Sequence, residues 1–404
     1  MTETRTIMIS KVFYEDLPPV TTLLISVATS VLVFQLVVRW MMPTHATLKG
    51  KSKNLPPYAS TSISEIVRQL TGSKAPDFIE DLASKVGNVF RFQIPGVNVV
   101  VAGEPRLVRE ILSDPGSIKP SLVYAPIGGV TKGWANMLSD CDVDHVKMNR
   151  KGIAAAFATH HIKRMSEIGL KTLEDWLTNT VDPLIAKGES FNPCTELVNV
   201  MVRSVCLSSF EYDPSPEEVA NFQKWLDIAI KEFLLRRMAN PLRGPLSPIW
   251  KYWNAEIREA NNAVDSLEAF AVKMMDAYRK NPSPTKNTAM DIIMNSPMFT
   301  SDSQRACEVV TYLWGSHDTQ AYTIAWILKY VTLKSSEQDA LREELIKMDP
   351  EDRHQSTTLS NVLNEGMRIA PVASVFSFRQ TGRDIVSPAD HTMLIPKGSI
   401  CMIG

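Results

Sequence analysis

Apolar positions recur at helical spacing along most of the chain and switch to alternation in only a few places. Ile63, Ile66, Val67 and Leu70 fall at i, i+3, i+4 and i+7, and Phe78, Ile79, Leu82 and Ala83 repeat the stripe, which predicts two short helices after Thr61. The period then changes. Val89-Phe90-Arg91-Phe92-Gln93-Ile94 alternates, Pro95-Gly96 turns, and Val97 to Val101 is β-branched, which predicts a hairpin. Gly103-Glu104-Pro105 opens a helix with Leu107, Val108, Ile111 and Leu112 on one face. Residues 113–140 are rich in Gly and Pro without a period and read as a long loop of the lid or binding kind. Helices resume near Asp144, over roughly 162–187 and 194–209, and as two or three pieces across 217–280. That last stretch is broken by Pro241, Pro245 and Pro248 and carries Trp225, Phe233, Trp250 and Trp253. It suits a mobile pocket cover, a membrane-facing patch or plain helix packing. Asn281 to Asn287 is a Pro-rich linker.

The longest periodic segment starts at Ser301-x-x-Gln304, a capping-box pattern, and keeps period through Val309, Val310, Leu313, Ile324, Ile327, Leu328 and Val331 to about Leu333. Some thirty residues at about 1.5 Å each give a helix of about 45 Å, enough to cross a domain. Gly315-Ser316-His317-Asp318-Thr319 lies midway. Small residues there weaken the helix and let a flat ligand approach its backbone. A shorter helix, Leu359 to Ile369, ends before Pro371; a strand from Val375 to Arg379, a turn at Gly382–Asp384 and Leu394-Ile395-Pro396-Lys397-Gly398-Ser399 lead into Ile400.

Val20 to Val38 is uncharged and long enough to span a bilayer core. Basic Arg39, Lys49, Lys51 and Lys53 follow it where a cleaved leader would carry small residues, so a retained single-pass anchor with the bulk of the chain cytosolic is expected. The expected layout is a short lumenal segment 1–19, an anchor 20–38, a basic and Pro-containing linker 39–58 that Leu55-Pro56-Pro57-Tyr58 would stiffen, and a globular domain 59–404. A 44% hydrophobic, 22% charged composition supports a sizeable core, and a net charge of −1 gives no footprint for nucleic acid. Cys141, Cys194, Cys206, Cys307 and Cys401 are widely spaced, which suits a reducing compartment and offers neither a disulfide framework nor a zinc motif.

The candidate chemistry sits at Asp318 and Thr319. An acid beside an alcohol, about 100° apart on one helix, can relay protons through water into a shared cavity. The same residues could instead be a Thr bonded back to its own helix and an Asp in a structural ion pair. Glu365 and Arg368 at i, i+3 are either an exposed pair or, given Val362, Leu363 and Ile369 around them, a buried network. His145, His160, His161 and His317 form no pattern that completes a metal or hydrolase site.

Anchor, Pro-Pro hinge, early hairpin, long helix with G-S-H-D-T, then E-G-M-R, F-R-Q-T-G-R-D and I-P-K-G-S: in this order the chain resembles a microsomal cytochrome P450 from Val20 to Gly404. The resemblance implies a mainly α fold with a small β region, incomplete at its C-terminal end and preceded by one transmembrane helix. It implies haem as cofactor, NADPH–cytochrome P450 reductase as partner, a lipophilic small-molecule substrate, and the endoplasmic reticulum membrane as location. It makes Asp318 and Thr319 the oxygen-activating acid and alcohol, Glu365 and Arg368 the core-stabilising pair, and Arg379 and Arg150 propionate ligands. His145 takes the place of the usual Trp or His; it is five residues before Arg150 rather than four, where Asn149 stands. Ser316 and Gln320 depart mildly from the family pattern. The severe departure is that no cysteine lies in a loop resembling F-x-x-G-x-R-x-C-x-G, which carries the haem thiolate in this family. The expectation is an inactive monooxygenase-like protein of fungal secondary-metabolite type, with a terpenoid as the substrate guess. The alternatives are an active enzyme whose thiolate loop lies beyond Gly404, and a non-enzymatic membrane-tethered remnant.

Overall fold

The computed structural model describes residues 54–403 apart from 73, 95–96, 241, 283–284 and 374–376, and the side chain of Ile63. The anchor expected at 20–38 and its flanks lie outside the described residues. Among the described residues no helix is long and apolar enough to cross a membrane.

The first helices, α1 (Ile63–Leu70) and α2 (Ala75–Val86), precede the hairpin of β1 (Val89–Ile94) and β2 (Val97–Ala102), in register from Val89↔Ala102 to Ile94↔Val97. Alternation explains the pairing: Phe90 and Phe92 point to one face of β1 and are fully buried. The hairpin is half of a four-stranded sheet. Its order is β1-β2-β6-β3, with β6 (Ile400–Ile403) parallel to β2 and antiparallel to β3 (Ser377–Gln380). Two-residue strands β4 (Ile385–Val386) and β5 (Leu394–Ile395) pair separately.

The Pro-Pro stretch, expected to stiffen the linker, is bonded to the hairpin. Arg91 donates from its backbone to the Pro57 carbonyl at 2.9 Å and from Nε to the Pro56 carbonyl at 3.0 Å, and Leu394 N donates to the Asn54 carbonyl. Extended X-Pro backbone is preset to lie along a strand edge, so these residues belong to the sheet.

Helix α3 (Pro105–Ser113) is capped by Glu104, whose carboxylate accepts from the backbone N–H of Arg106 and Leu107. The segment 113–140 is more ordered than its composition suggested. It contains α4 (Ser121–Tyr124) and a 3₁₀ stretch, Ala125–Thr131, in which Gly128, Val130 and Thr131 are buried. Next come α5 (Val143–Ile153) and α6 (Thr159–Trp176), the latter continuing through a π stretch, Leu177–Val181, into Asp182–Lys187. Then follow α7 (Pro193–Phe210) and α8 (Pro216–Ile230), which runs on through a second π stretch, Lys231–Arg236. The rest are α9 (Arg243–Trp250), α10 (Ala255–Lys280), α11 (Ala289–Asn295), α12 (Asp302–Thr332), α13 (Ser335–Lys347) and α14 (Thr357–Ile369).

At 31 residues, α12 is the axis of the helical body, with α7, α10 and α14 against it. Val309, Val310 and Leu313 on its first half are buried in the same core as Phe222, Phe210 and Met274. Its cap is half of the expected box: Ser301 Oγ accepts from Gln304 N, while Gln304 Oε1 accepts from the N–H and hydroxyl of Thr300 rather than from Ser301.

Candidate functional site

Halfway along α12 the small residues leave one side open. A Cβ added to Gly315 would meet nothing within 4 Å, and Thr319, one turn on, is exposed. This is the face on which a flat ligand could lie. The side-chain bonds there are local. The Thr319 hydroxyl donates to the Gly315 carbonyl at 3.0 Å, the back-bonded geometry typical of a helical Thr. The Asp318 Oδ1 lies 3.0 Å from His317 Nε2. His317 is itself only 1% exposed and donates from Nδ1 to the Leu313 carbonyl at 2.7 Å, with Phe222 edge-on to its ring. Since Nδ1 spends its proton on a carbonyl, the Nε2–Asp318 contact is a hydrogen bond only when the pair carries one further proton. Sequence reading saw His317 only as a stray imidazole; its burial depends on α8, which no local pattern reveals.

Glu365 and Arg368 form a two-bond pair at 2.7 Å, but their side chains are 56% and 70% exposed. Of the two readings of this pair, the structure shows the exposed one. Leu363, Met367 and Ile369 on the same helix are exposed as well. What α14 does bury is Gly366, where a Cβ would sit 2.4 Å from Ile327 of α12. An exposed pair adds little. Glu365→Gln is expected to leave the melting temperature of the chain where it is; a fall as large as a core truncation would show that the pair is covered in solution.

A second set of groups gathers where α5, β3 and the segment before α4 meet. Lys119 is half-buried and donates from Nζ to the carbonyls of Met137 and Leu138 at 2.9 and 3.0 Å. Burial, and then the charges of Arg150 and Arg379, hold its amine below the usual lysine range. The three cations thus share one patch. Arg150 is exposed and Asn149 buried, so of the two candidates on α5 only Arg150 presents its head outward. Arg379 donates to its own strand's Phe378 carbonyl at 2.7 Å. His145 Nδ1 is engaged by the buried carboxylate of Asp140. Lys119 was missed in the sequence because a lone Lys before Pro120 in an aperiodic stretch carries no signal.

This patch fits an anionic group such as the propionate edge of a haem. The axial side does not fit. Cys194, Cys206, Cys307 and Cys401 lie within helices or a strand, and the Cys141 thiol donates to the Ser139 carbonyl. Burial pushes the thiols of Cys307 and Cys401 up to about 12 and that of Cys206 higher still, which keeps them protonated. A thiolate ligand needs the opposite environment. Among the described residues no group of three or more His, Cys, Asp and Glu could hold a metal.

A helical body around one long helix, flanked by a small mixed sheet, is the fold of solved cytochromes P450. The structure superposes on the retinoic acid-bound cyanobacterial CYP120A1 with a TM-score of 0.63 at 17% identity, covering 87% of this chain and 76% of that one. It matches a cytochrome P450DA heme domain with a TM-score of 0.66 at 16% identity, covering 86% and 76%. The family model for Cytochrome P450 matches residues 58–404, so the chain belongs to the cytochrome P450 family. Similar curated proteins include abscisic acid 8'-hydroxylase 1 of Arabidopsis thaliana, 22% identical over 339 residues, which are 80% of this chain and 65% of that protein. Cytochrome P450 4F5 of Rattus norvegicus is 32% identical over 190 residues, 43% of this chain and 34% of that one. The matches thus span less than two thirds of these relatives' own length.

Proposed function

We propose that residues 54–403 form the oxygen-side and cofactor-edge part of a haem-thiolate monooxygenase, and that these residues on their own do not sustain the family's oxidation. The observation that carries the first half is the open face of α12 at Gly315 and Thr319 together with the patch of Lys119, Arg150 and Arg379. In this reading the patch neutralises the haem propionates, with His145 held in place by Asp140 beside it. Haem, when bound, supplies the iron at which the family activates dioxygen. Asp318, 3.0 Å from His317, and Thr319, whose hydroxyl can turn from Gly315 toward a ligand, are the groups that would hold and pass protons at that face. The second half rests on the cysteines: Cys194, Cys206, Cys307 and Cys401 sit within helices or a strand, and burial keeps the thiols of Cys206, Cys307 and Cys401 protonated.

The family's complete reaction is the hydroxylation of a lipophilic small molecule with dioxygen and electrons from NADPH–cytochrome P450 reductase. The family match supports a lipophilic substrate. The terpenoid choice, the fungal type and the endoplasmic reticulum anchor belong to the proposal and rest on the sequence resemblance. Expressing the chain with haem precursor and recording its reduced, CO-bound spectrum tests it. The expected result is no Soret band at the thiolate position. Such a band would overturn the silent reading and favour an active monooxygenase; a folded, haem-free protein that retains a partner would favour a binding remnant.

A further inference from the structure

A buried acid lies away from the open face of α12. Glu308, on the first half of α12, is 6% exposed, and its one short contact is a 3.4 Å hydrogen bond accepted by Oε2 from Met137 N. It lines a cavity with Asn149 and Ile153 of α5, Ile293 of α11, and Tyr312. About 30 Å³ of this cavity is open to the centre of a water-sized sphere, room for about two waters by the usual requirement of roughly 10–15 Å³ each. Asn149 is 8% exposed, and its Nδ2 has no hydrogen-bond partner among the described residues. A buried amide donor and an under-bonded carboxyl on one small cavity are what hold internal water.

The residue that Glu308 holds by its N–H is held by Lys119 through its carbonyl. Met137 donates its N–H to Glu308 and accepts from Lys119 Nζ through its carbonyl at 2.9 Å. We propose that the cavity between α5, α11 and α12 is a hydration site in which water bridges Asn149 to Glu308, and that Glu308 acts through Met137 as a positioning residue for Lys119.

Other charged groups near Glu308 are Asp140 from the same loop, His145 from α5 and Lys119 from the segment before α4. On α11, Asp291 is committed to the Tyr278 hydroxyl at 2.8 Å; on α12 itself, the Tyr312 hydroxyl accepts from Ser209 at 3.4 Å. Burial holds the Glu308 proton up to about 7. Ionisation therefore favours any local opening that lets water reach the carboxylate, and opening at Met137 becomes more frequent as pH rises toward 7. The coupling stands on bonds within the chain and does not depend on haem being bound.

The test is hydrogen exchange of the peptide holding Met137 in the full chain between pH 5 and pH 8, alongside acylation of the Lys119 amine, each corrected for the intrinsic pH dependence of its own reaction. Wild-type opening is expected to rise by up to roughly two orders of magnitude across that range, with Lys119 labelling rising in step. Glu308→Gln, which keeps the acceptor and loses the charge, is expected to flatten both profiles. Asn149→Leu, which fills the cavity and removes the water's donor, is expected to shift the midpoint upward while the rest of the exchange map stays native. A flat wild-type profile, or a Glu308→Gln profile that still tracks pH, would overturn the positioning role. An unmoved midpoint in Asn149→Leu would overturn the hydration site.

Discussion

Glu308→Gln is expected to leave stability unchanged below about pH 4.5 and to raise it by about 3 kcal/mol above pH 7. The unfolded carboxyl loses its proton near 4.5, while the folded one keeps it to about 7 because burial penalises the charge. Between those values the unfolded state binds fewer protons, so the wild type loses stability as pH rises, and the loss is complete once the folded group ionises. Glutamine has no proton to lose. Urea titrations of both chains at pH 5 and pH 8 measure the difference, in which every other titrating group cancels. Two curves that stay parallel across the range would mean that the folded carboxyl loses its proton where the unfolded one does.

Gly382→Ala is expected to destabilise the chain by about 2–3 kcal/mol, the scale of forced overpacking. A Cβ there would lie 2.4 Å from the Gly116 carbonyl oxygen and 2.6 Å from its Cα, so backbone meets backbone and no side chain can yield. The contact sits next to the paired bonds between Ile118 and Gln380, at 3.0 and 2.8 Å, which clamp the segment before α4 to β3. Parting them moves Lys119 away from Arg379. Gly315→Ala is the control: its Cβ meets nothing, and replacing a helical Gly should add about 0.5–1 kcal/mol. Thermal melts of the two variants should move in opposite directions.

The period of apolar positions was enough to read the hairpin and α12, because both are written in runs whose every member agrees. The 113–140 segment was misread as a loop since its short helices close on buried Gly128 and Thr131, and such contacts leave no period. Glu365 and Arg368 looked buried from their apolar neighbours, but exposure on one helix face depends on what chain lies opposite. Asp318 and Thr319 were readable as an acid–alcohol pair, whereas His317, Lys119, Asn149 and Glu308 were not. Each of these four owes its state to a partner on another element: Phe222, the Met137 peptide, or the walls of a small cavity.

The sheet sets a schedule for synthesis. β2 finds its parallel neighbour in β6, from Val99↔Ile400 onward, about 300 residues later in the chain. At about 5–20 residues per second, a ribosome leaves that edge of the hairpin without its partner for roughly 15–60 s. Throughout this time Val99, Val100 and Val101 present a β-branched edge strand to neighbouring chains, the kind of template on which nascent chains join. Yield in a cell should therefore depend on chaperone supply and translation speed more steeply than the stability of the finished fold would suggest.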